Sequence, residues 1–462
     1  MTERTEIDSL GAVGVPANAL YGSNTVRALE NFPITDRTLG NETALVTSIA
    51  QIKKACAMTN ADLGAVNQAA AQAIAHACDE MIEGALNDSL IVPVLEGSGG
   101  TSTNMNVNEV LANRALQILG EPLGNYSEVH PNDHVNCGQS TNDVVPSAIK
   151  LACHALTQSA VASARKLAKA LEKKSAEFAA VYRLGRTCLQ DAQPMTLGQA
   201  FEGYAAVVAR AADRIEAQGQ HLLTLPLGGT AVGTGLGSVD GFRDAAITRL
   251  SAITDLTITP CASRFDGMQN LDELQRLSAE LETATGAVAK IAKDLILLSS
   301  GPNGGLGEIT LPSVQAGSSI MPGKVNPVLP MSAVQLAQIV HGNHACIVMA
   351  CQDGMLEINH YESAIASRLF DSLQRTAEIV DVFSTRCVEG IEANTERSLN
   401  HLLDSFALAT TLVPRLGYSA VSQLVKDSVK AKRPFLELAE AQNLIARDEI
   451  MAIIKSSVEP DD

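Results

Sequence analysis

The chain contains no tryptophan, and aromatic residues together make up only 3% of its 462 positions. Strands lean on aromatic and β-branched cross-strand pairs. That shortage, set beside plentiful alanine, argues against a large sheet and for closely packed helices. Positive charge is also scarce: 34 Lys and Arg stand against 51 Asp and Glu, a net charge of −17. A nucleic-acid surface needs clustered cations, so that class of partner is excluded. An anionic small molecule is not, because a few cations in a cleft dominate the local field. No apolar run is long enough to span a membrane, and the first six residues, MTERTE, carry no signal-peptide pattern, so a cytoplasmic protein is expected. The nine cysteines include no CxxC pair and no zinc-like spacing. Free thiols are expected, with no disulfide framework and no metal site.

What remains is 46% apolar and 18% charged, enough to bury a large core. A mainly α fold is predicted, in three domains: a mostly helical one over 1–140, a central long-helix bundle over 141–395 and a small helical one over 396–462. The first 40 residues, punctuated by Gly11, Gly14, Pro16, Gly22 and Pro33, read as loops or short strands. Helical patterns run from Thr43 to about Leu86, and a polar Gly- and Asn-rich stretch, Glu96 to Glu109, is expected to interrupt them. The clearest helix spans Asp266 to Ser299. Its stripe is Leu271, Leu274, Leu277, Leu281, Val288, Ile291, Leu295 and Leu298, at spacings of three, four or seven. Similar helices are predicted near 145–181, 195–222, 328–354 and 362–391. Apolar faces this long imply a deep bundle or an oligomeric core.

Four polar segments separate the helical runs. They are Gly99 to Asn106; His130 to Asp133 with Gln139 to Asp143; Gly185 to Asp191; and Gly317 to Pro327. Singly, each has an ordinary reading as a set of helix N-caps. Together their hydroxyls, amides, backbone N–H groups and one lysine make a carboxylate cradle, above all at helix N-termini. The glycines at 228–237 lack the GxGxxG spacing of a nucleotide loop, so that reading is set aside.

The run GSSIMPGKVNP (Gly317–Pro327) resembles the signature loop of the aspartase/fumarase superfamily. GTSTNMNVNEV (Gly100–Val110), HPND with QSTND, LQDAQPMTLGQ (Leu189–Gln199), LENFPIT (Leu29–Thr35) and LGGTAVGTG (Leu227–Gly235) resemble its other blocks in order. The resemblance covers nearly the whole chain and weakens after about residue 395. It implies a three-domain lyase fold with a central helix bundle, a homotetramer with sites shared between subunits, and a small-molecule substrate with no prosthetic group. It also implies anti-elimination: a base removes a proton beside a carboxylate, and amine or hydroxide leaves the next carbon. The dianionic intermediate must be stabilised electrostatically.

By that resemblance Ser318 is the catalytic base, its pKa lowered by Lys324 and by the backbone of Gly317 to Ser319. The glycine-flanked loop reads as mobile, able to close over a substrate. Thr101, Ser140, Thr141, Lys324 and Asn326 surround the reacting carboxylate, joined by Ser319; Ser102, Asn104 and Met321 complete the substrate contacts. Asn142 holds the departing group and Thr187 meets the second carboxylate. His130 is either part of an entrance anion site or a turn-stabilising residue.

Two departures stand out. Cys188 replaces the histidine that many relatives carry after this threonine, and Val328-Leu329-Pro330-Met331 lacks the glutamate that follows their KVNP. Losing both together leaves a drier wall without stranding a charge. A third departure is Cys137, where relatives usually carry lysine. Cys188 is expected to be a small packing and substrate-contact residue, not a nucleophile. Met331, His360 and Tyr361 are candidate specificity residues, with helix packing the alternative for the last two. The balance favours a carbon–nitrogen lyase of the aspartate-to-fumarate type. Fumarate hydratase, an amine lyase for a nonstandard amino acid or betaine, and a catalytically silent structural oligomer remain open.

Overall fold

The computed structural model describes residues 2–458. Its N-terminus is a hairpin of β1 (Glu3–Asp8) and β2 (Gly11–Pro16), followed by helices α1 (Ser23–Asn31), α2 (Thr43–Asp62), α3 (Gln68–Ile82) and α4 (Thr101–Leu119). Then come α5 (Thr141–Glu177), the antiparallel hairpin β3 (Tyr182–Thr187) and β4 (Gln190–Thr196), and α6 (Leu197–His221). Helices α7 (Phe242–Thr254), α8 (Arg264–Gln269), α9 (Asp272–Leu298), α10 (Val328–Gln352) and α11 (Glu362–Arg386) complete the middle of the chain. Helices α12 (Thr395–Asp404), α13 (Ala407–Leu416), α14 (Tyr418–Ala431), α15 (Phe435–Ala441) and α16 (Arg447–Val458) end it. The expected mainly α fold is present. Among the described residues no helix is long and apolar enough to cross a membrane, and all nine cysteines are free.

All eight residues of the α9 stripe are buried. Two local expectations fail. The first 40 residues hold a helix, α1, and the polar stretch before Glu109 is mostly helix α4. Asparagine is a poor helix former because its amide competes for backbone groups, but here tertiary partners occupy it. Asn106 Nδ2 donates to Ser89 O at 3.1 Å, its Oδ1 accepts from Val92 N at 3.3 Å, and Asn113 Nδ2 donates to Leu20 O at 2.8 Å.

Two compact units emerge, each assembled from three stretches of chain. Unit 1 comprises Met1–Val161, Asp213–Thr283 and Gln338–Thr376; unit 2 comprises Ala162–Ala212, Ala284–Ala337 and Ala377–Asp462. Within unit 1, the wholly buried Glu109 ties the start of α1 to α4. Its carboxylate accepts from Gly22 N at 2.8 Å and from Thr25 Oγ1 at 2.7 Å. Within unit 2, Leu402, Leu408, Phe435, Ile450 and Ile454 build a core that includes Leu184 of β3.

Candidate active site

The N-termini of α4 and α5 meet in unit 1. Gly99 and Gly100 precede α4 with φ of +65° and +82°, and Gly100 offers no side-chain cap. A Cβ on Gly100 would lie 3.3 Å from the Thr141 methyl and closer still to Val145. Glycine is therefore what lets the two helix starts approach, quite apart from its left-handed backbone. Thr101 is exposed and Ser102 half-buried, on a helix end whose N–H dipoles suit an anion. Ser102 N donates to Ser98 Oγ at 2.8 Å, and Ser98 in turn bonds to the Glu96 carboxylate.

Buried Asn104 links the two helices. Its Nδ2 donates to Thr141 Oγ1 at 3.2 Å and to Asn136 Oδ1 at 3.1 Å. The turn into α5 is held from beneath by Asp143. That carboxylate accepts from Ser140 N at 2.9 Å, Gly228 N at 3.0 Å and Thr230 N at 2.9 Å. Burial raises the Asp143 pKa to about 6, against the pull of those N–H groups and of Lys53. Asn142 N donates to Ser140 Oγ, while Asn142 Nδ2 donates to Ala231 O at 2.8 Å, so the glycine segment 228–237 is a buttress for this turn.

His360 joins the same cluster: a Cβ on Gly99 would lie 3.1 Å from the His360 Cβ. The Tyr361 and His360 ring centroids lie 4.3 Å apart with the rings tilted by 37°; Tyr361 is 38% exposed, and both residues precede α11. Beside them, Glu362 and Glu96 are buried carboxyls that the sequence reading missed. Burial first, and Glu96 second, push the Glu362 carboxyl well above its ordinary pKa. His130 Nδ1 accepts from Asn132 N at 3.0 Å and Asp133 N at 3.2 Å, the turn-stabilising role.

The remaining candidates lie in unit 2. In the loop, Gly317 N donates to Lys324 O at 2.8 Å and Asn326 Nδ2 donates to Gly317 O at 2.7 Å, closing its neck. A Cβ on Gly317 would fall 2.4 Å from Lys324 O, so only glycine fits there. Within the loop, Ser318 Oγ accepts from Ile320 N at 3.1 Å and from Met321 N at 3.0 Å. The N–H groups aimed at Ser318 are thus those that follow it, not those of Gly317 to Ser319. Ser318, Met321 and Lys324 line one hollow of about 470 Å3. Ser319 and Lys324 are exposed and Asn326 is half-buried. Met331 is exposed in the first turn of α10.

Thr187 and Cys188 sit at the tip of the β3–β4 hairpin, where Thr187 pairs with Gln190. Cys188 and Leu189 form the two-residue turn at φ of +52° and +61°. Asn-Gly is the usual choice there, so two larger side chains store strain, as functional sites often do. The base of the hairpin is fastened by buried Glu308, missed at the sequence level. It pairs with Arg186 Nη2 at 2.6 Å, with Arg183 Nε at 3.1 Å and with His401 Nδ1 at 2.9 Å. Burial pushes the Glu308 carboxyl up, but the arginines and the imidazole outweigh it and hold its pKa below the ordinary value. Beside this cluster lies a cavity of about 580 Å3 lined by Arg183, Arg186, Tyr204 and Lys290. Among the described residues no group of three or more His, Cys, Asp or Glu is placed to hold a metal ion.

The profile of a lyase family matches residues 11–342. The chain is 39% identical over 452 residues to an aspartate ammonia-lyase of Helicobacter pylori, covering 98% of this chain and 97% of that one. It is 38% identical over 447 residues to a class II fumarate hydratase of Thermosynechococcus vestitus, covering 96% and 95%. A solved structure of a fumarate lyase:delta crystallin from Brucella melitensis bound to cobalt superposes with a TM-score of 0.96. It is 39% identical and covers 99% of this chain and all of that one.

Proposed function

The chain belongs to the lyase family that includes aspartate ammonia-lyases and class II fumarases, and from that membership we propose that it eliminates ammonia or an amine from an aspartate-like substrate. The observation that carries this is the meeting of the α4 and α5 N-termini through Asn104 and Thr141. Two helix ends and the hydroxyls of Thr101, Ser140 and Thr141 suit a substrate carboxylate. Asn142 commits an amide hydrogen to Ala231 O, which leaves its Oδ1 as an acceptor for the ammonium group that departs.

In this reading Ser318, as the alkoxide, takes the proton from the carbon beside the bound carboxylate. The C–H electron pair moves into that carboxylate, giving the dianionic form. Collapse of the dianion forms the double bond, the C–N bond breaks with its electrons leaving on nitrogen, and Ser318 returns its proton to solvent. The Ile320 and Met321 N–H groups and the charge of Lys324 favour the alkoxide. Thr187 and Cys188 meet the second carboxylate. Cys188 and Met331 supply no ionisable pair to protonate a departing hydroxide, whereas a protonated amine leaves as the neutral amine without a proton donor, which favours an amine over water as leaving group.

Ultraviolet detection of an α,β-unsaturated acid from L-aspartate, L-malate and N-substituted aspartates tests the proposal. L-Aspartate is expected to react and L-malate not to; the reverse makes the chain a hydratase. Ser318→Ala is expected to lose at least ~10³-fold in turnover, whereas a silent structural oligomer has nothing to lose.

A second reading rests on His360 beside Gly99. There His360 and Tyr361 contact an extra substituent on a nonstandard amino acid. His360→Ala then improves L-aspartate relative to an N-substituted analogue; an unchanged ratio removes this reading. The free thiols and long apolar helix faces support a cytoplasmic homotetramer with sites shared between subunits. A monodisperse monomer at micromolar concentration by light scattering contradicts it.

A further inference from the structure

Lys53 is the largest side chain that unit 1 buries completely. Its neighbour Lys54 pairs with Asp79 at 2.6 Å near the surface, but Lys53 points inward. Among the described residues its ammonium makes one hydrogen bond, to Asn136 Oδ1 at 2.7 Å. A charge in the core with one neutral acceptor is poor value for stability, and an apolar side chain of the same length would fit the fold better. Burial lowers its pKa to about 8, while Cys56, Asp143 and Cys78 oppose that fall.

The chemistry of the contacts gives this lysine a direction. An ammonium donates and never accepts, so the atom of Asn136 facing it must be the carbonyl oxygen. The other carboxamide atom, Nδ2, is thereby committed to Gln139 O at 3.3 Å. The same Asn136 oxygen lies 3.1 Å from the Asn104 side chain, which must therefore present its NH2 group. That NH2 reaches Thr141 Oγ1 at 3.2 Å, so the threonine oxygen is used as an acceptor. The one remaining hydrogen on that oxygen is left to donate outward.

We propose that Lys53 is a positioning residue: acting through Asn136 and Asn104, it fixes the Thr141 hydroxyl as a donor to a bound carboxylate. Without a donor-only group at its root, Asn136 is held in this orientation only by its 3.3 Å bond to Gln139 O and can turn over. Asn104 can then offer its oxygen, and Thr141 spends its hydrogen inside the protein. The ligand rests on the elimination reading above; the direction of the chain of hydrogen bonds does not.

The test compares wild type, Lys53→Met, Thr141→Val and the double variant by calorimetric binding of fumarate, by kinetics on L-aspartate and by thermal scans. Lys53→Met is expected to weaken fumarate binding and raise KM about tenfold, the worth of one hydrogen bond. The change in kcat is smaller, because the contact serves substrate and transition state alike. In the Thr141→Val background the same substitution is expected to change binding less than twofold, although Lys53 and Thr141 do not touch. The melting temperature is expected to stay level or rise.

Additive effects of the two substitutions, or unchanged fumarate binding in Lys53→Met, overturn the proposal. So does a lower melting temperature or a failure to fold, since either makes Lys53 a stabilising group. A wild-type protein that neither binds fumarate nor turns over L-aspartate overturns the elimination reading instead. Lys53 is then judged by the thermal scans alone, where a level or raised melting temperature supports a role other than stability.

Discussion

The helix starts of α4 and α5 and the loop from Gly317 to Pro327 contribute to the same proposed chemistry, yet they are held in opposite ways. Around the helix starts, Asn104, Asp143 and Lys53 are buried and cross-linked through amides and backbone N–H groups. In the loop most residues are exposed, and bonds between Gly317, Lys324 and Asn326 close the neck. Binding a rigid carboxylate rewards groups fixed in advance. A base that must meet a proton and then release it is better placed on a segment that can move. Under the proposed function, the contrast divides the labour between a preformed cradle and an exposed loop that carries the base.

The burial of Asp143 in the cradle gives the largest expected effect on stability. Asp143 keeps its proton more tightly folded than unfolded. Its stabilising contribution is therefore complete below the ordinary carboxylate pKa of 3.8 and is lost as pH rises through about 6. At ~1.4 kcal/mol per unit, roughly 3 kcal/mol is at stake. Urea unfolding of Asp143→Asn between pH 4 and 6 is expected to be flatter than wild type by about that amount. A parallel pair of curves would mean that burial does not raise the Asp143 pKa.

Next comes the loop. Gly317→Ala drives a Cβ into Lys324 O, and a misplacement of this order is expected to cost ~100-fold in kcat/KM. Because most of the loop is exposed, its neck can open locally to relieve the clash, and the loss of stability is expected to stay below about 1 kcal/mol. A large loss of stability would mean that the loop is as built-in as the cradle. Asn104→Ala is expected to cost stability as well as substrate binding. It should lower unfolding free energy by about 2 kcal/mol, as two buried hydrogen bonds are lost and Thr141 is released. The smallest effect belongs to the hairpin tip of unit 2. Leu189 is 70% exposed at φ of +61°, so Leu189→Gly is expected to stabilise by ~1 kcal/mol in thermal unfolding.

What the sequence disclosed follows the same division. The α9 stripe was readable because leucines three and four apart can only share a helix face, and all of them are buried. The loop Gly317–Pro327 and the two polar helix starts were readable because their residues are unusual together. Helix α4 was misjudged because its asparagines find partners far away in sequence, such as Leu20 and Ser89, and local propensity is blind to that. Lys53 and Lys54 look alike as letters. The signal that separates them was present: Ile49, Lys53, Cys56 and Asn60 fall four, three and four apart, which puts Lys53 on the buried stripe of α2. Glu96, Glu308 and Glu362 gave no such sign, since only the folded chain brings Arg186 and His401 to Glu308.

The interleaving of the two units has a consequence for synthesis. Unit 1 draws its last stretch from Gln338–Thr376, and unit 2 begins at Ala162 and is resumed twice. A ribosome delivering this chain in order exposes the first 161 residues long before the segments that complete them. Asn359 and Ile365, both buried in the finished protein, arrive some two hundred residues late. Early apolar surface must wait, and waiting chains meet one another. Chaperone demand should accordingly peak in the middle of translation, and ribosome-bound chains halted before residue 376 should be more open to protease than the released protein.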